Sequence, residues 1–405
     1  MPSAISTQHL PINPLQLNEL QLNELKQSVE LSRNSLAASG KLSLGDSAEA
    51  VNFSGEQTGG HLTAQTRLFQ LETYAETSAE NRASLDSDTD EPTNWRGKDL
   101  SRRDLKLARL CHLDMRNVTA VASDLYGANF YETDLREADL SYAEMAEANL
   151  SLANLSHAHL TAANLSFAVL YTANLSGVEG QETSFYRADL RETDLYRANL
   201  RNSDLREAML SFADLGYCNL GFAQLDHATL REALMRHANL CGASIQKANL
   251  IRADLSYSNF RGADCTGANF QHSLMHEACF KGARLMATNL SNTSFYKSVM
   301  SEAHLNHAKA LNTSFSRADL QGACCIRAKM LNANFYGADL SHSVFYKTDL
   351  QGAIFCDANL QGADLRHANL SGANVRGANL SNANLKYAKL SGVDLAEANT
   401  EGAKF

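Results

Sequence analysis

From Leu100 to Phe405 the chain keeps a five-residue period with no insertion, and no ordinary helix or flat strand can bury such a pattern. Every multiple of five in this span is a centre. Of the 62 centres, 37 are Leu, 11 Phe and 6 Met, with Ile245 and Val375 completing the large apolar set; Ala120, Gly180, Cys265, Ala310, Cys325 and Thr400 depart from it. Two places before each centre stands a small residue: from 108 to 403 it is Ala in 42 of 60 cases, and Leu113 is the one large exception. On an α-helix, five steps of about 100° rotate each centre by about 140° from the last, so the leucines would circle the axis. On a flat strand an odd period sends alternate centres to opposite faces. The pattern is buried only if the chain turns a corner once per repeat, sending each centre inward with the small residue packed beside it. Successive turns of such a coil then pair their backbones at the spacing of a β-sheet, about 4.8 Å.

The stretch ADLRHANLSGANVRGANLSNANL (363–385) carries the motif most clearly. It resembles the pentapeptide-repeat family, whose motif is A(D/N)LXX, and the resemblance covers about three quarters of the chain. It implies an all-β fold: a right-handed quadrilateral β-helix of twenty residues per coil, about 15 coils over residues 95–405. Every twentieth residue then shares a column. The residue before each centre and the two after it point outward, and columns such as Asn199, Asn219, Asn239 and Asn259 are expected to form amide ladders. The segment Gly177–Gly180, whose centre has no side chain, and Ala120 are the places where a thin or distorted coil is expected.

Residues 1–94 read as a separate, acidic leader, largely disordered or partly helical. Amphipathic helices are expected at 15–36 and 61–84, followed by the linker DSDTDEP (86–92). The leader holds 13 acidic and 5 basic residues; subtracted from 45 and 36 for the chain, this leaves 32 and 31 in the repeat region, a net of −1. No apolar run reaches the ~18 residues of a membrane span, and the N-terminus lacks a secretory signal pattern. Eight cysteines show no CxxC and no zinc spacing, so reduced thiols in a cytoplasmic protein are expected.

No catalytic motif is present: neither GxxxxGK[ST], GxSxG nor HExxH. The chain is therefore expected to be no enzyme and to need no cofactor or metal. The residues singled out are surface ones. All twelve tyrosines of the repeat region follow a centre by one or two places, and Tyr171, Tyr196, Tyr217, Tyr257, Tyr296, Tyr336 and Tyr346 are candidate partner contacts. Arg187, His227, Lys247, Arg327 and Lys347 share one column, a candidate basic stripe. The final coil, with Leu390, Leu395 and Phe405, is expected to be uncapped and to support a homodimer. The expected function is a protein-binding scaffold of bacterial type. Two alternatives follow from the family resemblance: an effector delivered into host cells through its polar leader, and a DNA mimic that binds gyrase. The near-neutral rod argues against the latter and against a nucleic-acid partner.

Overall fold

The computed structural model describes residues 95–405; the helices expected at 15–36 and 61–84 and the linker expected at 86–92 lie outside the described residues. The repeat region winds into a rod in which residue n bridges residue n + 20 in parallel register, from Asp99–Thr119 to Asn384–Lys404. Each coil has four sides of five residues. We number them by their centres: the first side at 100, 120 and onward, the second at 105, the third at 110, the fourth at 115. No side is long enough to be a strand. Only the residue before the centre forms a bridge, and the two residues after it make the corner.

A single repeat accounts for all of its backbone donors. In 128–132, Ala128 N–H closes a turn on the Leu125 carbonyl at 3.0 Å. Asn129 donates to Ala108 of the preceding coil at 2.9 Å, while Phe130 and Glu132 donate to Asn149 and Ser151 of the next at 2.7 and 3.1 Å. The remaining N–H, on Tyr131, reaches the side-chain oxygen of Asn129 at 3.1 Å. This last bond explains the Asp or Asn of the motif. A short side-chain acceptor two residues back satisfies the one backbone N–H that no coil serves. At two places where the motif lapses, a neighbouring coil substitutes. Ser244 and Cys324 replace the Asx residue, and Asp226 and Asn306 of the preceding coils accept from Gln246 and Ile326 at 2.8 and 3.0 Å.

The corner geometry is equally uniform. The second residue after each centre, from Gly97 to Gly402, has positive φ in every repeat but that of Glu397, and 46 of these residues are not glycine. The turn requires φ > 0 at its third residue, a conformation costing about 1 kcal/mol for a residue with Cβ. Thr172 is the only β-branched residue among them. Inside the rod the centres stack in columns. Phe295, Phe315, Phe335 and Phe355 lie nearly parallel at centroid spacings of 5.2, 5.0 and 4.9 Å, and Phe260 stacks on Phe280 at 4.5 Å.

The expected weak coils are regular. Gly180 keeps its bonds to the adjoining coil, and a methyl group built there would lie only 3.0 Å from Leu200 Cδ2, 3.2 Å from Thr183 Oγ1 and 3.3 Å from Val178 Cγ1. The neighbours fill the missing centre. Ala120 is buried, and its N–H reaches Asp139 at 2.7 Å. The irregularity lies instead at 394–397. There the Asn374–Asp394 bridge is missing, Glu397 leaves the left-handed region, and Gly377 donates to the Glu397 carbonyl at 3.1 Å. Arg376 holds the Glu397 carboxylate at 2.7 Å across this segment.

Candidate functional site

The outward positions form columns, and their contacts follow from the coil spacing. The expected Asn ladder is present on the first side. Asn219, Asn239 and Asn259 each donate from Nδ2 to the Asn oxygen one coil earlier, at 3.0, 3.0 and 3.1 Å. The donors all point toward the preceding coil, so each run needs an acceptor at its start. Asn199 ends on the Glu179 carboxylate at 2.9 Å, and Asn359 on Asp339 at 3.0 Å.

Five of the seven singled-out tyrosines come together. Tyr196, Tyr217, Tyr257, Tyr296 and Tyr336 all lie on the corner that follows the fourth side. Tyr217, His237 and Tyr257 form a parallel stack with centroid spacings of 4.6 and 4.9 Å, and Tyr196 meets Tyr217 edge-on at 5.6 Å. Cations brace the rings: Arg197 lies over Tyr196 and Tyr217, Arg236 over Tyr257, and Lys297 over Tyr296. Tyr217 is 50% exposed and Tyr257 42%. On the same side, before the centres, stand the exposed Leu234, Leu274 and Ile354. Sequence reasoning missed these apolar residues; the signal was a Leu or Ile where the motif wants Asp or Asn. Tyr171 and Tyr346 sit on the other two corners flanking the third side. Tyr171 bonds Glu192 at 3.1 Å, and burial together with that carboxylate pushes its phenol up from the ordinary value.

The basic column divides. Arg187 pairs with Glu207 at 2.7 Å, and this bond holds the Glu207 carboxyl below its ordinary value. His227 and Lys247 line a shallow polar depression with Tyr186, Arg206, Glu207, Asp226 and Gln246. Farther along, Arg327 and Lys347 are exposed, and Lys347 lies over the Tyr346 ring. In the last coil Leu390 and Leu395 are half-buried and Phe405 is 58% exposed.

Among the described residues no group of three His, Cys, Asp or Glu side chains could hold a metal ion, and no helix is long and apolar enough to cross a membrane. Cys218, Cys265 and Cys325 are buried, which pushes their thiols far up from the ordinary value. The arrangement offers repetitive sides whose side chains stand in columns, and corners that carry the rings and cations.

A search of curated proteins finds no match. Among solved structures, the chain is similar to HetL, a pentapeptide repeat protein involved in heterocyst differentiation regulation from the cyanobacterium Nostoc sp. strain PCC 7120. The two are 28% identical over 70% of this chain and 89% of that one, with a TM-score of 0.24. QnrB1, a plasmid-mediated fluoroquinolone resistance protein, is 23% identical over 40% of this chain and 84% of its own, with a TM-score of 0.28. A pentapeptide repeat protein from the Arabidopsis thaliana thylakoid lumen is 26% identical over 29% and 68%, with a TM-score of 0.14. The family profile described as pentapeptide repeats matches in eight copies, over 104–141, 138–177, 183–216, 218–256, 248–292, 298–335, 333–372 and 363–402. With its repeats matched from 104 to 402, the chain belongs to the pentapeptide-repeat family, and its rod is a right-handed β-helix.

Proposed function

We propose that the rod is a non-catalytic protein-binding scaffold whose partner docks on the fourth side and the tyrosine corner beside it. The observation that carries this reading is the stack Tyr217–His237–Tyr257, extended by Tyr196 and flanked by exposed Leu234 and Leu274. Rings held against one another and under arginines have little rotamer freedom left to lose, so they present area and hydroxyls at small entropic cost. Leucines beside them supply the apolar centre that a protein interface needs.

A duplex-mimic role fits less well. Cations stand among the acidic residues of the rod, as in the ion pairs Lys106–Asp124 at 2.9 Å and Arg206–Asp204 at 2.6 Å, and the repeat region nets only −1.

The test is affinity capture from the native cell with the full chain as bait. Tyr217→Ala/Tyr257→Ala should lose the captured protein, while Tyr171→Ala/Tyr346→Ala on the other corners should retain it. Equal capture by both variants, or loss from both, would refute the assignment of the binding side.

A further inference from the structure

The corner diagonally opposite the tyrosines follows the second side. Over residues 284–404 the second and third sides, which meet there, carry nine Lys and Arg against two acids, Asp349 and Asp364. This excess is absent from the rest of the rod, since the whole repeat region nets −1. All nine basic residues are exposed. Seven of them, Lys309, Arg327, Lys329, Lys347, Lys386, Lys389 and Lys404, have no carboxylate within 4.0 Å among the described residues, while Arg284 lies 3.9 Å from Asp264 and Arg366 is taken up by Asp364. Nor is the cluster arranged for stability. Lys309 and Lys329 are bridged neighbours on successive coils, and like charges placed directly opposite in a ladder are destabilising. Asp349, next in that column, is occupied by the Asn369 amide at 3.1 Å.

We infer that this ridge is a peripheral docking surface for anionic lipid headgroups. Three observations favour a bilayer over other polyanions. The ridge is a convex corner running six coils, or about 29 Å at the β spacing of ~4.8 Å per coil. A plane laid against it brings both flanking columns within about one Debye length, ~8 Å. A duplex, itself convex, would touch such a ridge at few phosphates. Six of the seven unpaired cations are lysines, point charges suited to a diffuse field; defined protein interfaces favour arginine and are depleted in lysine. The crest carries the stack of His367 on Tyr387 at 4.9 Å, and Tyr387 is 77% exposed. Tyrosine is the residue type enriched at membrane–water interfaces.

The inference does not depend on the tyrosine corner, and its test separates the two. Full-length protein is sedimented with vesicles of phosphatidylcholine alone, or with about one third phosphatidylserine, at low salt and at about 1 M salt, where the Debye length falls to ~3 Å. Binding should require phosphatidylserine and vanish at high salt. Lys309→Gln/Lys329→Gln/Lys389→Gln removes three cations at roughly fivefold each, so affinity should fall about a hundredfold. Circular dichroism and thermal melting check that this variant is folded, and Arg327→Gln/Lys386→Gln provides a second, independent pair. Tyr217→Ala/Tyr257→Ala should bind vesicles as the wild type does. Failure of the wild type to sediment with phosphatidylserine vesicles at low salt would overturn the inference, as would undiminished binding by the triple variant. Displacement of the protein from vesicles by a duplex DNA of about twenty base pairs would replace the lipid with nucleic acid as the ligand.

Discussion

Asn239 offers a quantitative test of why Asp or Asn precedes each centre. Its side chain makes three bonds: Nδ2 donates to Asn219 Oδ1 at 3.0 Å, and Oδ1 accepts from Asn259 Nδ2 at 3.1 Å and from the Cys241 N–H at 3.2 Å. Asn239→Ala removes all three and leaves the Cys241 N–H, on a half-buried residue, without its acceptor. At about 0.5–1.5 kcal/mol per bond, and with water replacing part of the loss at this half-exposed position, the change should cost about 1.5–3 kcal/mol. Asn239→Asp keeps both acceptor bonds but loses the donor and turns a half-exposed carboxylate oxygen toward Asn219 Oδ1, so it should cost about 1 kcal/mol once water screens that contact. Asp339 already plays that part below Asn359 in the same column. A solenoid opens locally, so a single denaturation midpoint is a poor measure of such changes. Hydrogen exchange on peptides from 219–242 is the better assay. Exchange should speed up about 10- to 150-fold for the Ala variant and about fivefold for the Asp variant, one decade for each ~1.4 kcal/mol. If Asp proved as damaging as Ala, the Cys241 N–H would not be what the side chain serves. If Ala changed exchange by less than about twofold, the ladder and cap together would be worth nothing measurable.

Other outcomes follow from the same geometry. Thr172→Gly should stabilise its coil by about 0.5–1 kcal/mol, because relief of a β-branched residue at φ 55° outweighs the added unfolded-state entropy; local hydrogen exchange would register the gain. Gly180→Ala should destabilise by about 1 kcal/mol through overpacking against Leu200, Thr183 and Val178, in contrast to the gain expected if the coil held a void there. Arg116 holds the Asp114 carboxyl down at about 2, so this pair stabilises the first coils above the ordinary carboxylate range and the contribution is lost as pH falls toward 2. Arg116→Gln should flatten acid sensitivity between pH about 4 and 2, followed by circular dichroism. Native-state alkylation should label Cys111, Cys241, Cys279, Cys324 and Cys356 before Cys218, Cys265 and Cys325, as mass spectrometry would show.

What the sequence disclosed, it disclosed through spacing. The inward centres, the small partners and the Asn ladder are all consequences of one period, and each appears where the period puts it. The misjudged coils at Gly180 and Ala120 show the limit. Whether a small centre leaves a void depends on Leu200, Thr183 and Val178 leaning inward, which no count of side chains reveals. The Asx cap was hidden because its purpose lies in the backbone: the N–H it satisfies is visible as an orphan only once the other four donors of the repeat are placed. Of the basic ridge, only Arg327 and Lys347 were legible in the sequence, as part of one column. Arg187 and Arg327 share a column, yet Glu207 neutralises the former while Lys309 and Lys329, on the neighbouring side, reinforce the latter. Charge on a four-sided body has to be summed around a corner as well as along a column.

The uninterrupted period also fixes the rod's angular phase. Losing twenty residues would remove one coil and return every later side chain to its column. Losing five would turn everything downstream by a quarter revolution, and losing ten by half. A ten-residue deletion near residue 270 would carry the lysine ridge of 284–404 around to the azimuth of Tyr217 and Tyr257 while leaving every centre buried. Length changes in such a rod thus come in two kinds: whole coils, which preserve the bearing of one surface to another, and single repeats, which re-aim everything downstream without exposing a centre.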